Sequence, residues 1–221
     1  MERRQPAKRK ESKMKMDKRV AAAAGGALVV LVAASVLALR PWDRDRYADC
    51  RITAIAGGVQ GIGGPFTLVD ETGATVTDKD VITKPSLVYF GYTFCPDVCP
   101  TDLARNAEAV DLLAAQGLEV TPVFISVDRH RDTPERLAEW TDLLHPKMIG
   151  LTGSAEQIDA VAKEYKVFYQ VPEDTSEPDY VVGHTTKTYL MSPAVGLFEL
   201  FDSPATPEQV AETTACFLKV G

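Results

Sequence analysis

Basic residues are scarce beyond the N-terminus of this 221-residue chain. Of 24 Lys and Arg, nine fall within the first 19 residues; of 31 Asp and Glu, only three do, so 15 basic residues face 28 acidic ones in all that follows. That balance offers no polycation to a phosphate backbone and excludes nucleic acid as a partner. It suits a soluble domain that attracts cations or basic protein faces. Charge of either sign is missing from residues 20–39. At ~1.5 Å per residue such a stretch spans the ~30 Å hydrocarbon core of a bilayer. No clear small-x-small site precedes Arg40, and the apolar core exceeds the ~7–15 residues of a secretory signal, which disfavours a cleavable leader. The expectation is a cytoplasmic basic tail (1–19), an uncleaved transmembrane helix (20–39) and, by the positive-inside rule, everything after Arg40 outside. The chain has no internal repeat and no low-complexity tract after the basic end.

Residues 40–64 hold Pro41 and five glycines and read as a stalk; 65–221 read as one domain. About 170 residues after the anchor and a short stalk suffice for a real core. Phe66-Thr67-Leu68-Val69, a turn at Asp70 to Gly73, and Ala74-Thr75-Val76 form a hairpin pattern. Leu87-Val88-Tyr89-Phe90 is a short apolar run of the kind buried on both faces of a sheet. Leu103, Ala107, Val110, Leu113 and Ala114 set a helical stripe closed by Gly117, and residues 120–127 make the next strand. Thr133-Pro134-Glu135 supplies N-cap, N1 and N2 of a helix carrying Leu137, Trp140, Leu143 and Leu144 and stopping before Pro146. A strand at 149–152 and a Ser154/Gln157 capping box follow, the helix running to about Lys166. Strands at 185–191 and 196–201 flank a Ser192-Pro193-Ala194 turn, and Thr206-Pro207-Glu208 opens the last helix. Strand–helix alternation, then a terminal hairpin and a helix, is the order of an α/β thioredoxin-like sandwich.

Cysteine and histidine are sparse, four and three in all, and two of the cysteines stand together in Gly91-Tyr92-Thr93-Phe94-Cys95-Pro96-Asp97-Val98-Cys99-Pro100. The motif lies where the apolar strand gives way to a helix, the junction at which an α/β fold presents its chemistry. Pro100 places Cys99 at the N-cap, where helix amides are expected to favour its thiolate. Three readings stay open: a disulfide, which demands a tightly curled loop; metal chelation, in which soft thiolates select Cu(I), Zn or iron–sulfur chemistry; and a purely structural pair. His184, in a loop before a strand, is the candidate third ligand, and a Cys2His set matches copper better than four-ligand structural zinc. His130 reads as a solvated loop residue and His145 as a dipole partner at a helix end. Cys50 and Cys216 can pair in an oxidising compartment, but nothing in the sequence brings them together.

With Phe94-Cys95-Pro96-Asp97-Val98-Cys99-Pro100, residues 126–135 (Ser-Val-Asp-Arg-His-Arg-Asp-Thr-Pro-Glu), and His184-Thr185 followed by Tyr189-Leu190, the chain resembles the SCO/SenC family over roughly residues 66–218. Many members carry Pro-Glu where this chain has Arg129-His130. The resemblance implies a membrane-anchored, thioredoxin-like copper-binding assembly factor of cytochrome c oxidase, with Cys95, Cys99 and His184 as metal ligands for Cu(I) or Cu(II). It implies partners in the copper A subunit of the oxidase and in other copper chaperones. It also implies a single-pass inner-membrane protein whose functional domain faces the periplasm or, in a eukaryote, the mitochondrial intermembrane space. Such a protein is a metallochaperone, with thiol–disulfide reductase activity left open.

The alternative is a thiol–disulfide oxidoreductase using Cys95 and Cys99 as a redox pair. Against it stand the three-residue spacer and the lack of proline at Gly183-His184-Thr185, opposite the motif. A peroxidase with Thr93 and Arg105 beside a peroxidatic cysteine fits adjacent paired cysteines poorly.

Overall fold

The computed structural model describes residues 46–53 and 61–220. The basic tail, the 20–39 span and most of the expected stalk lie outside the described residues. Among the described residues no helix is long and apolar enough to cross a membrane.

Strand β3 (Ser86–Gly91) is an interior strand of a seven-stranded sheet, and every residue in it is buried. An unbroken apolar run has this fate when both faces of its sheet are covered. β4 (Thr121–Ser126) pairs parallel to β3, and β5 (Ile149–Thr152) parallel to β4. The crossovers are α2 (Val98–Ala114) and α3 (Pro134–Leu144). The hairpin β1 (Thr67–Asp70) and β2 (Thr75–Thr77) extends the β5 edge, with β1 antiparallel to β5. On the other side of β3 the hairpin β8 (Lys187–Ser192) and β9 (Gly196–Asp202) adds two antiparallel strands. The order is therefore β2-β1-β5-β4-β3-β8-β9. A four-residue helix α1 (Asp78–Val81) follows β2, capped by Thr77 and Asp80. Helices α4 (Ala155–Tyr165) and α5 (Pro207–Val220) complete the layers.

Local chemistry sets the helix starts. The Thr133 hydroxyl accepts the Arg136 N–H at 3.3 Å with Pro134 at N1. Ser154 and Gln157 exchange hydrogen bonds as a capping box, and so do Thr206 and Gln209. In α3, Leu137 is buried, while Trp140 and Leu144 pack partly buried on the core; Leu143, expected in the stripe, is 83% exposed. α2 and α5 share an apolar cluster with Leu87, Leu190, Phe198 and Phe201.

Two segments depart from the expected order. A separate two-stranded ribbon, β6 (Tyr169–Gln170) with β7 (Gly183–His184), carries the histidine and pairs with no strand of the main sheet. Residues 46–53, inside the stretch read as a stalk, are strapped to the domain. The buried Glu199 carboxylate accepts the N–H groups of Ile52 (2.8 Å), Thr53 (3.3 Å) and Leu200 (2.8 Å), and Arg51 donates to the Phe198 carbonyl. Tyr47 packs on Phe198 and Phe217, and Cys50 forms a disulfide with Cys216.

Candidate metal centre

The two thiols hang from the end of β3. Cys95 sits on the loop that leaves the strand, and Cys99 lies in the first turn of α2, whose N-cap is Asp97. Cys99 was expected to be the N-cap itself. The helix starts earlier because the first four N–H groups of a helix need no carbonyl partner, so Pro100 is tolerated at N3 as well as at N1. The Cys99 N–H, free by position, donates to Cys95 Sγ at 3.4 Å. This bond draws the loop back over the helix start and holds both sulfurs on one side.

Cys99 is fully buried and Cys95 nearly so. The depth comes from Gly91: a Cβ there would lie 2.8 Å from Cys99 Sγ and 3.1 Å from Phe124 and Tyr89. Burial pushes the Cys99 thiol well above its ordinary value, against the expectation that helix amides would depress it. Desolvation of a fully enclosed sulfur outweighs the helix N-terminus, and thiolate forms there only when a positive partner supplies the missing solvation.

The third member of the cluster, His184, comes from β7. His184 Nε2 lies 3.3 Å from Cys99 Sγ. Its Nδ1 is 3.0 Å from the Thr185 carbonyl, which can only accept, so Nδ1 carries the proton and the Nε2 lone pair faces the thiols. Burial lowers the imidazole pKa and keeps the ring neutral, the form that binds metal. The rings of Tyr89 and Tyr92 meet the imidazole edge-on at 6.2 and 5.7 Å between centroids.

One ligand atom from each of Cys95, Cys99 and His184 lies within 4.8 Å of the other two, and among the described residues this is the one such His/Cys/Asp/Glu cluster. Three donors ~2.0–2.3 Å from one ion stand about 3.5–4.0 Å apart, so closure draws the most distant pair in by no more than about an ångström. Two thiols and one imidazole form a soft donor set with no carboxylate. Both sulfurs are buried and His184 is half-buried, so the imidazole is the most accessible of the three groups to a second molecule.

The other singled-out residues have other work. The Arg105 guanidinium is occupied by Asp102 (3.0 Å), Asn106, Thr188 (2.7 Å) and the carbonyls of Asp202 and Ser203, leaving nothing to polarise a peroxide. Thr93 gives its N–H (2.9 Å) and hydroxyl (2.6 Å) to the buried Asp132 carboxylate. His145 caps α3, accepting the Lys147 N–H at Nδ1 with Nε2 3.4 Å from Asp111. His130 lies exposed on its loop, as read. What the sequence did not reveal is Gly91's role in seating Cys99, or Arg131. The Arg131 guanidinium stacks on Tyr180 at 3.5 Å and stands 4.8 Å from the Phe94 centroid. The signal was available in a glycine immediately after an apolar strand and an arginine inside the 126–135 motif.

Comparison with known proteins agrees with this geometry. Residues 56–219 match the SCO1/SenC family model. Protein SenC of Rhodobacter capsulatus is 57% identical over 202 residues, covering 91% of this chain and 90% of that one. The copper-bound structure of Arabidopsis thaliana ScoI superposes with a TM-score of 0.66 at 39% identity, covering 72% of this chain and 99% of that one. Copper-bound yeast Sco1 gives 0.68 at 31%, covering 72% and 89%. With the thioredoxin-like fold and the Cys2His cluster in place, this chain belongs to the SCO1/SenC family.

Proposed function

We propose that this chain is a membrane-anchored copper carrier that loads the copper A site of a cytochrome c oxidase subunit during assembly. One observation carries the reading: Cys95, Cys99 and a correctly turned His184 Nε2 converge within 4.8 Å on a fold shared with copper-bound relatives. Two thiolates hold Cu(I), and the imidazole completes a set suited to Cu(II) as well. Neutral His184 is ready to bind, and the Cys99 proton leaves as metal enters. Residues 1–19 act as the cytoplasmic tail and 20–39 as the single span, which leaves the acidic domain in the periplasm or the intermembrane space.

The experiment mixes the copper-loaded protein with a pre-reduced soluble fragment of the copper A subunit, and in parallel the metal-free dithiol protein with the fragment in its disulfide form. A carrier passes copper quickly in the first mixture and reduces slowly in the second. Rapid reduction with copper retained by the donor would make the chain a thiol–disulfide oxidoreductase that happens to bind metal.

A further inference from the structure

The candidate ligands come from two pieces of chain that leave neighbouring strands, β3 and β8, and meet outside the main sheet. Cys95 and Cys99 are fixed to β3 and α2, whereas His184 sits in a two-residue strand bonded only to β6. We propose that Arg131 is a positioning residue that pins the histidine-bearing loop to the cysteine-bearing loop and so sets the reach of His184 toward the thiols. This rests on the copper reading above.

The contacts fall on both sides of the gap. Toward the histidine loop, the guanidinium carbon stands over the Tyr180 ring, 3.5 Å from its centroid, and Nη1 donates to the Pro178 carbonyl at 2.9 Å. Toward the cysteine loop, it stands over Phe94, adjacent to Cys95, and Tyr92, at 4.8 and 5.5 Å. Asp128 locks the arrangement from beneath: it accepts Arg131 Nε at 2.5 Å and the Tyr180 hydroxyl at 2.7 Å. Arg131 Nη2 is buried with no hydrogen-bond acceptor. An N–H oriented in this way is spent on aromatic faces, where a desolvated guanidinium is held more firmly than at an exposed site. Lysine cannot reproduce a planar stack with two rings and a carbonyl, so the role is specific to arginine.

The consequence is selective. Cu(I) can be held by two thiolates alone, so a misplaced imidazole matters little to it. Cu(II) needs the third donor. Loosening the clamp therefore separates the two oxidation states.

The test compares Arg131→Met, Arg131→Lys and Tyr180→Phe with the parent, all as folded protein. In Arg131→Met, Cu(II) affinity should fall about 10- to 100-fold, as for other residues that orient a metal-binding histidine. The nitrogen hyperfine splitting of the Cu(II) resonance should weaken, while Cu(I) affinity stays within about 3-fold. Arg131→Lys and Tyr180→Phe should fall between. In a His184→Ala background, Arg131→Met should have no further effect on Cu(II). In the metal-free protein, amide exchange at residues 179–185 should rise about 10-fold, with β3 and β4 unchanged. An unaltered Cu(II) spectrum and unaltered exchange in the folded variants overturn the proposal, as does an equal loss of Cu(I) and Cu(II). Should Arg131→Met fail to fold, Tyr180→Phe is judged by the same readouts. Failure of the parent to bind copper would sink the copper reading instead, and the exchange measurement would still judge the clamp.

Discussion

Cys50–Cys216 and Cys95–Cys99 are the same chemistry put to opposite uses in one domain. Cys99 lies in the first turn of α2 (Val98–Ala114), ~22 Å from its far end at ~1.5 Å per residue. Near that far end, where Lys219 of α5 reaches Gln116, Cys216 is bonded to Cys50 across a separation of 166 residues. The Cα–Cα distance of 5.6 Å fits the ordinary disulfide window. Closing so long a loop restricts the unfolded chain strongly, which makes this pair a staple. Cys95 and Cys99 enclose three residues, so bonding them restrains the unfolded chain little, and they stand as free thiols beside an imidazole. One pair binds the chain to itself; the other is left able to bind something else. Loop length and the nearest donor decide which.

Exchanging serine for cysteine should break the comparison most sharply. Cys95→Ser or Cys99→Ser should abolish tight copper binding, because a hydroxyl is a hard, poorly ionised substitute for thiolate, while the fold persists. Cys50→Ser with Cys216→Ser should do the reverse: about 2–5 kcal/mol lost in denaturant unfolding, with copper affinity unchanged. Copper titration and chemical denaturation of the two single variants and of the double variant check this directly, and a staple variant that loses copper would contradict the division of labour between the pairs.

A smaller effect comes from the glycine beneath Cys99. Gly91→Ala forces a methyl to within 2.8 Å of Cys99 Sγ. It should destabilise the domain by about 1–3 kcal/mol, as overpacking does, and weaken copper binding about 10-fold, leaving the disulfide intact. Wild-type copper affinity in this variant would show that the depth of the thiol is incidental.

Smaller again is a pH effect confined to the ligand end. Burial lowers the His184 pKa from its ordinary 6.5, so the unfolded state takes up a proton before the folded state does. Stability from this group is present above about pH 6.5 and is lost as pH falls below it. In the metal-free protein, the parent should therefore lose stability between pH 6.5 and 5 more steeply than His184→Gln. Parallel unfolding curves for the two proteins over that range would mean that His184 is solvated like any surface histidine. The least effect belongs to Leu143→Lys, 83% exposed, which should change stability by no more than about 0.5 kcal/mol in the same assay.

The same contrast explains what could be read from the chain. Cys95, Cys99 and His184 were legible because each bears chemistry and stands in a recognisable setting: an apolar strand, a proline after a cysteine, a loop before a strand. The β3–α2–β4–α3–β5 order was legible for the same kind of local reason, with Thr133-Pro134 and the Ser154/Gln157 box marking helix starts. The Cys50–Cys216 bond was not, because its partners meet only after the whole domain has folded. The state of the Cys99 thiol was misread because helix position is local, whereas the burial that overrides it depends on Gly91 and Phe124 from other elements. The β6–β7 ribbon is too short to set a period, and Leu143 followed the helical stripe without facing the core.

The most direct measurement is an anaerobic copper titration of the non-reduced protein, read beside a count of thiols reactive before and after saturation. We expect two reactive thiols per chain in the denatured, non-reduced protein, four after reduction, and one copper per chain that shields both Cys95 and Cys99 in the folded form. Four reactive thiols without reduction, or full copper occupancy that leaves Cys95 and Cys99 open to alkylation, would contradict the assignment of one pair to the fold and the other to the metal.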